Sequence, residues 1–242
     1  MDSFHPTVIL LYAAVAGLIP AVIWLGLILF EDREHPEPRK RLVYSFAAGM
    51  LGVLLVLPYQ LIAKQLIDPD MLKTGIFALG IQYGIFAFLE ETMKFALTYI
   101  FALRTRDVDE PLDEIVYLAA VALGFAALEN SLFLLNPLIS GEIGTAFLIT
   151  NIRFVGATLV HLVSAVIIGV FMANSFYKPK RTRLLMAFCG ILVATVFHTL
   201  YNIFLKTAGT GDLFAVFLSL WVVAGYVLLW MHFFRKRYIM SS

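Results

Sequence analysis

The 242-residue chain is 61% apolar and only 14% charged, and its mean hydropathy is +0.87. This composition leaves too little polar surface to cover a water-soluble globule, so it predicts an integral membrane protein. The formal net charge is +1, with Lys and Arg in short clusters between apolar runs, which argues against a nucleic-acid-binding face. The single cysteine, Cys189, allows neither an internal disulfide nor a cysteine-based metal site.

Long apolar runs follow one another along the chain, each close to or above the ~20 residues that a transmembrane helix requires. We expect about seven helices, at residues 7–30, 42–63, 74–103, 115–135, 154–176, 184–205 and 213–234. The connections between them, including a predicted loop over 136–153, are short and are charged or marked by Gly and Pro. The predicted fold class is therefore all-α: a polytopic transmembrane helix bundle that forms one domain over residues 1–242.

The distribution of Lys and Arg predicts the orientation of this bundle. If the N-terminus lies outside, thirteen of the eighteen basic residues fall on the cytoplasmic side and four on the outer side. Cytoplasmic connections are enriched in Lys and Arg, so we expect the N-terminus outside and the C-terminus in the cytoplasm.

Three ionisable residues lie far from either end of the third predicted helix. Glu90, Glu91 and Lys94 are spaced so that one ammonium can reach both carboxylates, because residues three and four apart are neighbours on a helix. A charge inside a membrane costs at least ~2.5 kcal/mol on insertion scales, and such residues usually serve a function in the bundle interior. The arrangement favours general acid–base chemistry, and a purely structural ion-pair clamp is the alternative.

Further polar residues occur on three later predicted helices. Glu129 and Asn130 lie near the predicted outer end of the fourth helix, His161 near that of the fifth, and His198 with Asn202 near that of the sixth. Their similar depths predict one shared site in the outer half of the membrane. His198 and Asn202 are four residues apart on one helix face, so the amide is a candidate to orient the imidazole or to hold a substrate carbonyl.

Four motifs in order on successive helices carry a family resemblance. They are the EExxK sequence at Glu90–Lys94, the DEIVY segment that leads into GFAALEN at Glu129 and Asn130, His161 with a glycine eight residues later, and HxxxN at His198–Asn202. This pattern resembles the PrsW family of intramembrane proteases, and its motifs are similar to those of the type II CAAX prenyl endopeptidases. The resemblance covers roughly residues 31–204.

The resemblance implies roles for these positions. It points to Glu90, Glu91 and His198 as catalytic essentials. The accompanying motif positions, with catalytic or supporting roles, are Glu129, Asn130, His161, Asn202 and Lys94.

The resemblance implies hydrolysis of a peptide bond, for which we expect Glu90 or Glu91 as the general base and His198 polarising the carbonyl or protonating the leaving amine. Two versions of this mechanism remain open. A divalent metal such as zinc, held by His161, His198 and Glu91, would supply an activated water. The other version is a metal-free glutamate protease, as the resemblance to the CAAX enzymes allows.

The resemblance also implies a partner and a location. The expected substrate is a single-span membrane protein such as an anti-sigma factor, and the expected location is the bacterial cell (inner) membrane. A rival hypothesis from another class is an ion- or proton-coupled transporter or channel with a buried Glu/His/Lys pathway. A seven-helix receptor is a third hypothesis, although a retinal-type lysine would be expected in the last helix rather than the third.

Overall fold

The computed structural model of the chain describes residues 5–33, 35–67, 75–207, 214–215, 217–226 and 229. In these ranges the regular secondary structure is helical throughout, and five helices are long and apolar enough to cross a membrane. The predicted all-α, multi-pass membrane fold is confirmed.

The helices are numbered here in chain order. They are α1 (Pro6–Glu31), α2 (Arg39–Leu66), α3 (Ile76–Thr98), α4 (Pro111–Ile139), α5 (Ile143–Ile152), α6 (Thr158–Ala173), α7 (Lys180–Thr207) and α8 (Phe217–Tyr226). A π-helical turn, Tyr99–Leu103, extends α3, and a second one, Arg153–Ala157, joins α5 to α6.

The predicted loop over residues 136–153 is wrong. Helix α4 continues to Ile139 through Pro137, and α5 begins only four residues later. Gly141, at φ +72°, makes the one sharp reversal that the segment needs, because this backbone region favours glycine. The predicted helix 154–176 is correspondingly the second half of a longer helical segment. The ends of the predicted helix 213–234 lie outside the described residues.

Helix α4 forms the centre of the bundle. Every residue from Pro111 to Ala127 is buried, and α1, α2 and α6 all pack along it. Its N-terminus is fixed by Pro111 in the first turn and by a capping box, in which Glu110 and Asp113 accept each other's backbone N–H groups. The packing and the capped N-terminus fix the position of α4, and they thereby fix the polar residues near its C-terminal end.

Small residues set the closest helix contacts. A Cβ added at Gly124 of α4 would lie 1.9 Å from the carbonyl oxygen of Phe46, and one added at Gly49 of α2 would lie 1.9 Å from that of Val121. Glycine at both positions lets the backbones of α2 and α4 approach directly, as small residues do in many membrane helix pairs. On the other side of the bundle α7 packs on both α3 and α6.

Candidate active site

The polar residues singled out from the sequence come together between α3, α4, α6 and α7. Glu90, Glu91, Lys94, His161 and His198 are all buried, with exposed fractions between 0 and 7%. The rings of His161 and His198 meet edge to face, with their centroids 5.0 Å apart. The residues predicted to share a site therefore lie together: Glu129 and Asn130 join this cluster through hydrogen bonds, and Asn202 lines the cavity beside it.

Glu91 anchors the cluster through one carboxylate oxygen. Its Oε1 accepts hydrogen bonds from Lys94 Nζ at 2.6 Å and from His198 Nδ1 at 2.8 Å. An ionised carboxylate only accepts, so the Nδ1 of His198 carries the proton and its Nε2 keeps a free lone pair. Glu91 thus fixes both the orientation and the tautomer of His198.

His161 has both ring nitrogens engaged. Its Nδ1 lies 3.1 Å from Lys94 Nζ and its Nε2 lies 3.0 Å from Glu129 Oε2. Because an ammonium only donates, Nδ1 is the acceptor and Nε2–H donates to Glu129. Lys94 therefore sets the tautomer of His161 while it pairs with Glu91.

Arg153 completes the outer part of the cluster. Its Nη2 pairs with Glu129 Oε2, and its Nε donates to Asn130 Oδ1 at 2.6 Å. Asn130 in turn donates to the Thr158 hydroxyl at 2.9 Å. This chain of contacts ties α4 to the π-turn at the start of α6 and fixes the carboxylate that His161 faces.

Glu90 has a different environment from its neighbour Glu91. Its Oε1 accepts a hydrogen bond from Gln60 of α2 at 2.8 Å. Its Oε2 is buried and has no hydrogen-bond partner in the described part of the chain, and it lies 3.9 Å from His198 Nε2. The separation is too long for a direct hydrogen bond, yet short enough for both atoms to contact one oxygen or one metal ion.

A cavity of about 620 Å³ is lined by the side chains of Glu90 and His198. Glu90, Glu129, His161, His198 and Asn202 all line it, whereas Glu91 and Lys94 do not. Most of the remaining lining is apolar or aromatic, and the cavity extends to the ends of α4 and α7 at Asn136 and Lys206. Asn202 therefore faces the cavity, while Glu91, rather than Asn202, holds the His198 ring.

Comparisons with known proteins show the family of this chain. The family model described as "PrsW family intramembrane metalloprotease" matches residues 37–231. The chain belongs to the PrsW protease family. It is 31% identical to Protease PrsW of Oceanobacillus iheyensis, with 87% of this chain and 92% of that protein covered. The Geobacillus kaustophilus and Bacillus subtilis proteins of the same name are 30% and 28% identical, covering 77% and 80% of this chain and 76% and 82% of their own lengths. No solved structure matches.

Family membership identifies the chain as a membrane-embedded peptidase. It favours this interpretation of the buried charges over the transporter and receptor hypotheses that the sequence alone left open. The ionisable residues of α3 lie in a cluster that faces a cavity, as expected for an intramembrane hydrolase that admits water.

The PrsW family model names a metalloprotease, and the donor atoms present here fit a divalent ion. Ligand atoms of Glu90, His161 and His198 all lie within 4.8 Å of one another, so the geometry groups Glu90 rather than Glu91 with the two histidines. Glu90 Oε2 and the free lone pair of His198 Nε2 are uncommitted. His161 can join them only by giving up its contact with Lys94 or with Glu129.

Two residues of this PrsW family site were not singled out from the sequence. Gln60 could have been singled out from the sequence, since it is a lone amide in an apolar predicted helix. Arg153 was assigned to the outer loop because the loop over residues 136–153 was predicted too long. In the structure Gln60 donates a hydrogen bond to Glu90, and Arg153 forms an ion pair with Glu129.

Proposed function

We propose that this PrsW family protease hydrolyses peptide bonds of single-span membrane proteins such as anti-sigma factors, in the bacterial cell membrane, with Glu90 as the general base. One observation carries the proposal. The buried and uncommitted Oε2 of Glu90 lies across a 3.9 Å gap from the free Nε2 of His198, at the wall of a cavity. A water between these two atoms contacts a proton acceptor on each side.

The two adjacent glutamates take different roles in this proposal. Glu90 takes the proton of the attacking water, because its side chain lines the cavity and its Oε2 has no hydrogen-bond partner among the described residues. Glu91 is a positioning residue, because its Oε1 is occupied by Lys94 and His198. The proton that Glu90 has taken up then passes through the free Nε2 of His198 to the leaving amine, which completes the balance of hydrolysis.

The second histidine acts through position and charge. With Nδ1 held by Lys94, the Nε2–H of His161 is directed to Glu129, and Arg153 holds that carboxylate in place. These contacts keep a rigid polar wall beside the Glu90–His198 gap. A preorganised wall of this kind stabilises developing charge without rearranging during the reaction.

In the metal version of this proposal, Glu90 is a metal ligand instead of the general base. Glu90 and His198, with His161 after release of one of its contacts, would hold a divalent ion such as zinc. A bound ion of this kind lowers the pKa of coordinated water toward ~7 and polarises a carbonyl. The residues around it keep the positions described above, and Glu91 then supports the ligand His198 in the way that carboxylates support metal-bound histidines.

The cavity suits a stretch of polypeptide as substrate. Its volume of about 620 Å³ accommodates several side chains, and its lining combines apolar residues such as Phe86, Leu132 and Phe133 with the polar cluster at its base. A membrane-anchored substrate has to unwind locally to present a peptide bond, since helical backbone groups are already hydrogen-bonded to each other.

Reconstituted proteolysis tests the proposal. Purified protein in detergent or liposomes is incubated with a panel of single-span anti-sigma factors, and fragments are identified by mass spectrometry. Glu90→Gln should lower the cleavage rate by about 10²-fold or more, because Gln cannot accept the proton. Glu142→Gln, the same change at an exposed residue, is the matched control.

Two results test the role of Glu90 and the role of a metal separately. Cleavage by Glu90→Gln at the rate of the unsubstituted protein would reject Glu90 as the base. Full activity of protein that has been stripped by a chelator and shown to be metal-free by mass spectrometry would reject the metal version and leave the glutamate mechanism.

A further inference from the structure

A second pocket lies at the opposite end of the bundle from the active-site cavity. It has a volume of about 240 Å³ and is formed where the π-turn after α3, the end of α6 and the start of α7 meet. Arg183, one of its lining residues, pairs with Glu114 in the first turn of α4, whereas the active-site cavity reaches Asn136 near the end of that helix. The two pockets share no lining residue, so this second one, called here the basic pocket, is a separate feature.

Basic side chains from two connections of the chain converge on the basic pocket. The described residues that line it include no acidic side chain and four basic ones, namely Arg104, Lys178, Lys180 and Arg183. Arg183 pairs with Glu114, whereas the other three form no ion pair with any described residue. A cleft lined by charges of one sign concentrates counter-ions, so the basic pocket favours an anionic ligand.

The rest of the lining of the basic pocket is apolar or aromatic. It consists of Phe95, Tyr99, Leu103, Met172 and Leu184. The rings of Phe95 and Tyr99 stack with their centroids 6.3 Å apart, and Phe95 lies about one helical turn, ~5.4 Å, further into the apolar part of α3. Leu184 is 48% exposed, so the apolar lining reaches the outer surface of the bundle. The three unpaired basic residues are exposed as well, so a ligand can reach both kinds of surface.

This combination of surfaces matches the two parts of a phospholipid. Phosphate oxygens accept hydrogen bonds from Arg and Lys, and an acyl chain packs against apolar side chains. Basic pockets between transmembrane helices are typical sites for anionic lipid headgroups. A free phosphate ion would contact only the basic side chains, whereas a phospholipid also covers the apolar lining.

We propose that the basic pocket binds an anionic phospholipid. The phosphate lies among Arg104, Lys178 and Lys180, and the start of one acyl chain packs against Phe95 and Leu184. In the orientation predicted from the basic residues, this end of the bundle lies at the cytoplasmic leaflet, whose anionic lipids attract Lys and Arg.

A lipid in the basic pocket would join helices that also form the catalytic cluster. The apolar lining belongs to α3 and its π-turn, α6 and α7. The same three helices carry Glu90, His161 and His198 nearer their other ends. A ligand that binds only the folded arrangement of these helices stabilises it, so the bound lipid should raise thermal stability.

Lipid titration of the purified full-length protein tests the proposal. Delipidated protein in dodecylmaltoside is titrated with dioleoylphosphatidylglycerol, dioleoylphosphatidylcholine or inorganic phosphate. Bound lipid is counted by native mass spectrometry, and thermal unfolding is followed in parallel. We expect phosphatidylglycerol to saturate one site and to raise the unfolding midpoint, and we expect the other two ligands to do neither at the same concentrations.

A pair of double variants separates the basic pocket from the surrounding surface charge. Arg104→Gln with Lys180→Gln should weaken phosphatidylglycerol binding by about tenfold or more, because two cationic partners of the phosphate are lost. Arg106→Gln with Arg181→Gln removes the same charge from the same two parts of the chain, outside the pocket, and should leave the affinity unchanged. All four side chains are exposed, so neither variant removes buried packing. Lys178→Gln is an independent test and should also weaken binding.

Three results would overturn the proposal. An equal loss of affinity in the two double variants would mean that the lipid is attracted by the general surface charge. Equal binding of phosphatidylcholine would mean that the basic side chains do not select the headgroup. Saturation by inorganic phosphate at the concentrations that saturate with phosphatidylglycerol would mean that the pocket holds an ion without a lipid.

Discussion

At the scale of single residues, Glu91 and Lys94 form the least replaceable pair of the site. Lys94 is 1% exposed, and its ammonium contacts Glu91 Oε1 and His161 Nδ1. Among the described residues Glu91 is its salt-bridge partner. Removing one member of a buried ion pair leaves an uncompensated charge, which is more damaging than removing both.

This pairing gives a prediction for stability and activity together. Glu91→Gln should lower the free energy of unfolding by about 3–5 kcal/mol, because it strands the Lys94 ammonium. The double variant Glu91→Gln with Lys94→Met should recover much of that stability but not proteolysis, because His198 still lacks its ionised partner. Thermal midpoints in detergent and cleavage rates measure the two effects. A double variant no more stable than Glu91→Gln alone would contradict the pairing.

The sequence predicts that these residues come together, but it does not predict the different roles of Glu90 and Glu91. Ionisable side chains in apolar helices avoid lipid, so Glu90, His161 and His198 had to face a common interior. Glu90 and Glu91 are adjacent and point ~100° apart on the helix, so either could have faced the cavity. Only the three-dimensional position of His198 Nδ1 shows that Glu91 is the one occupied.

At the scale of helices, the contact between α2 and α4 sets how closely the bundle closes around the site. Gly124→Ala should destabilise the protein by about 1–3 kcal/mol, because the added methyl group overlaps the backbone of Phe46. Gly26→Ala in α1 is the matched control, since a Cβ there meets nothing within 4 Å. Thermal unfolding in detergent measures both. Equal unfolding midpoints for the two variants would show that α2 can move away from α4 without loss of stability.

The long apolar runs predicted the helices themselves, whereas the helical structure of the segment after α4 was not predictable. Asn136, Pro137, Gly141 and Gly144 are typical loop residues, and together they predicted a loop over residues 136–153. Tertiary packing overrides this tendency, because Ala146 is fully buried against α1 and α4 in a small apolar cluster. The helical segment that follows brings Arg153 into the site through the π-turn, and such turns are often found at functional sites.

At the scale of the whole molecule, the connections that carry most basic residues meet at one end of the bundle. Arg41 Nε contacts Asp107 Oδ2 at 2.7 Å, and Arg183 pairs with Glu114. These two pairs bring together the starts of α2, α4 and α7 and the segment after α3. The active-site cavity extends toward the other end, at Asn136 and Lys206. Membrane orientation therefore decides which compartment the protease site faces.

The last prediction concerns this orientation. Arg153 lies within the site rather than in an outer loop, so only three of the four basic residues first counted outside remain there, against thirteen on the predicted cytoplasmic side. Because Lys and Arg are retained on the cytoplasmic side, reporter fusions after Arg41, Arg106 and Arg181 should read cytoplasmic, and one after Gly141 should read external. The cavity would then open to the outer face, and substrates would be cut in the outer half of the membrane. The reverse reporter pattern would instead turn the cavity toward the cytoplasm.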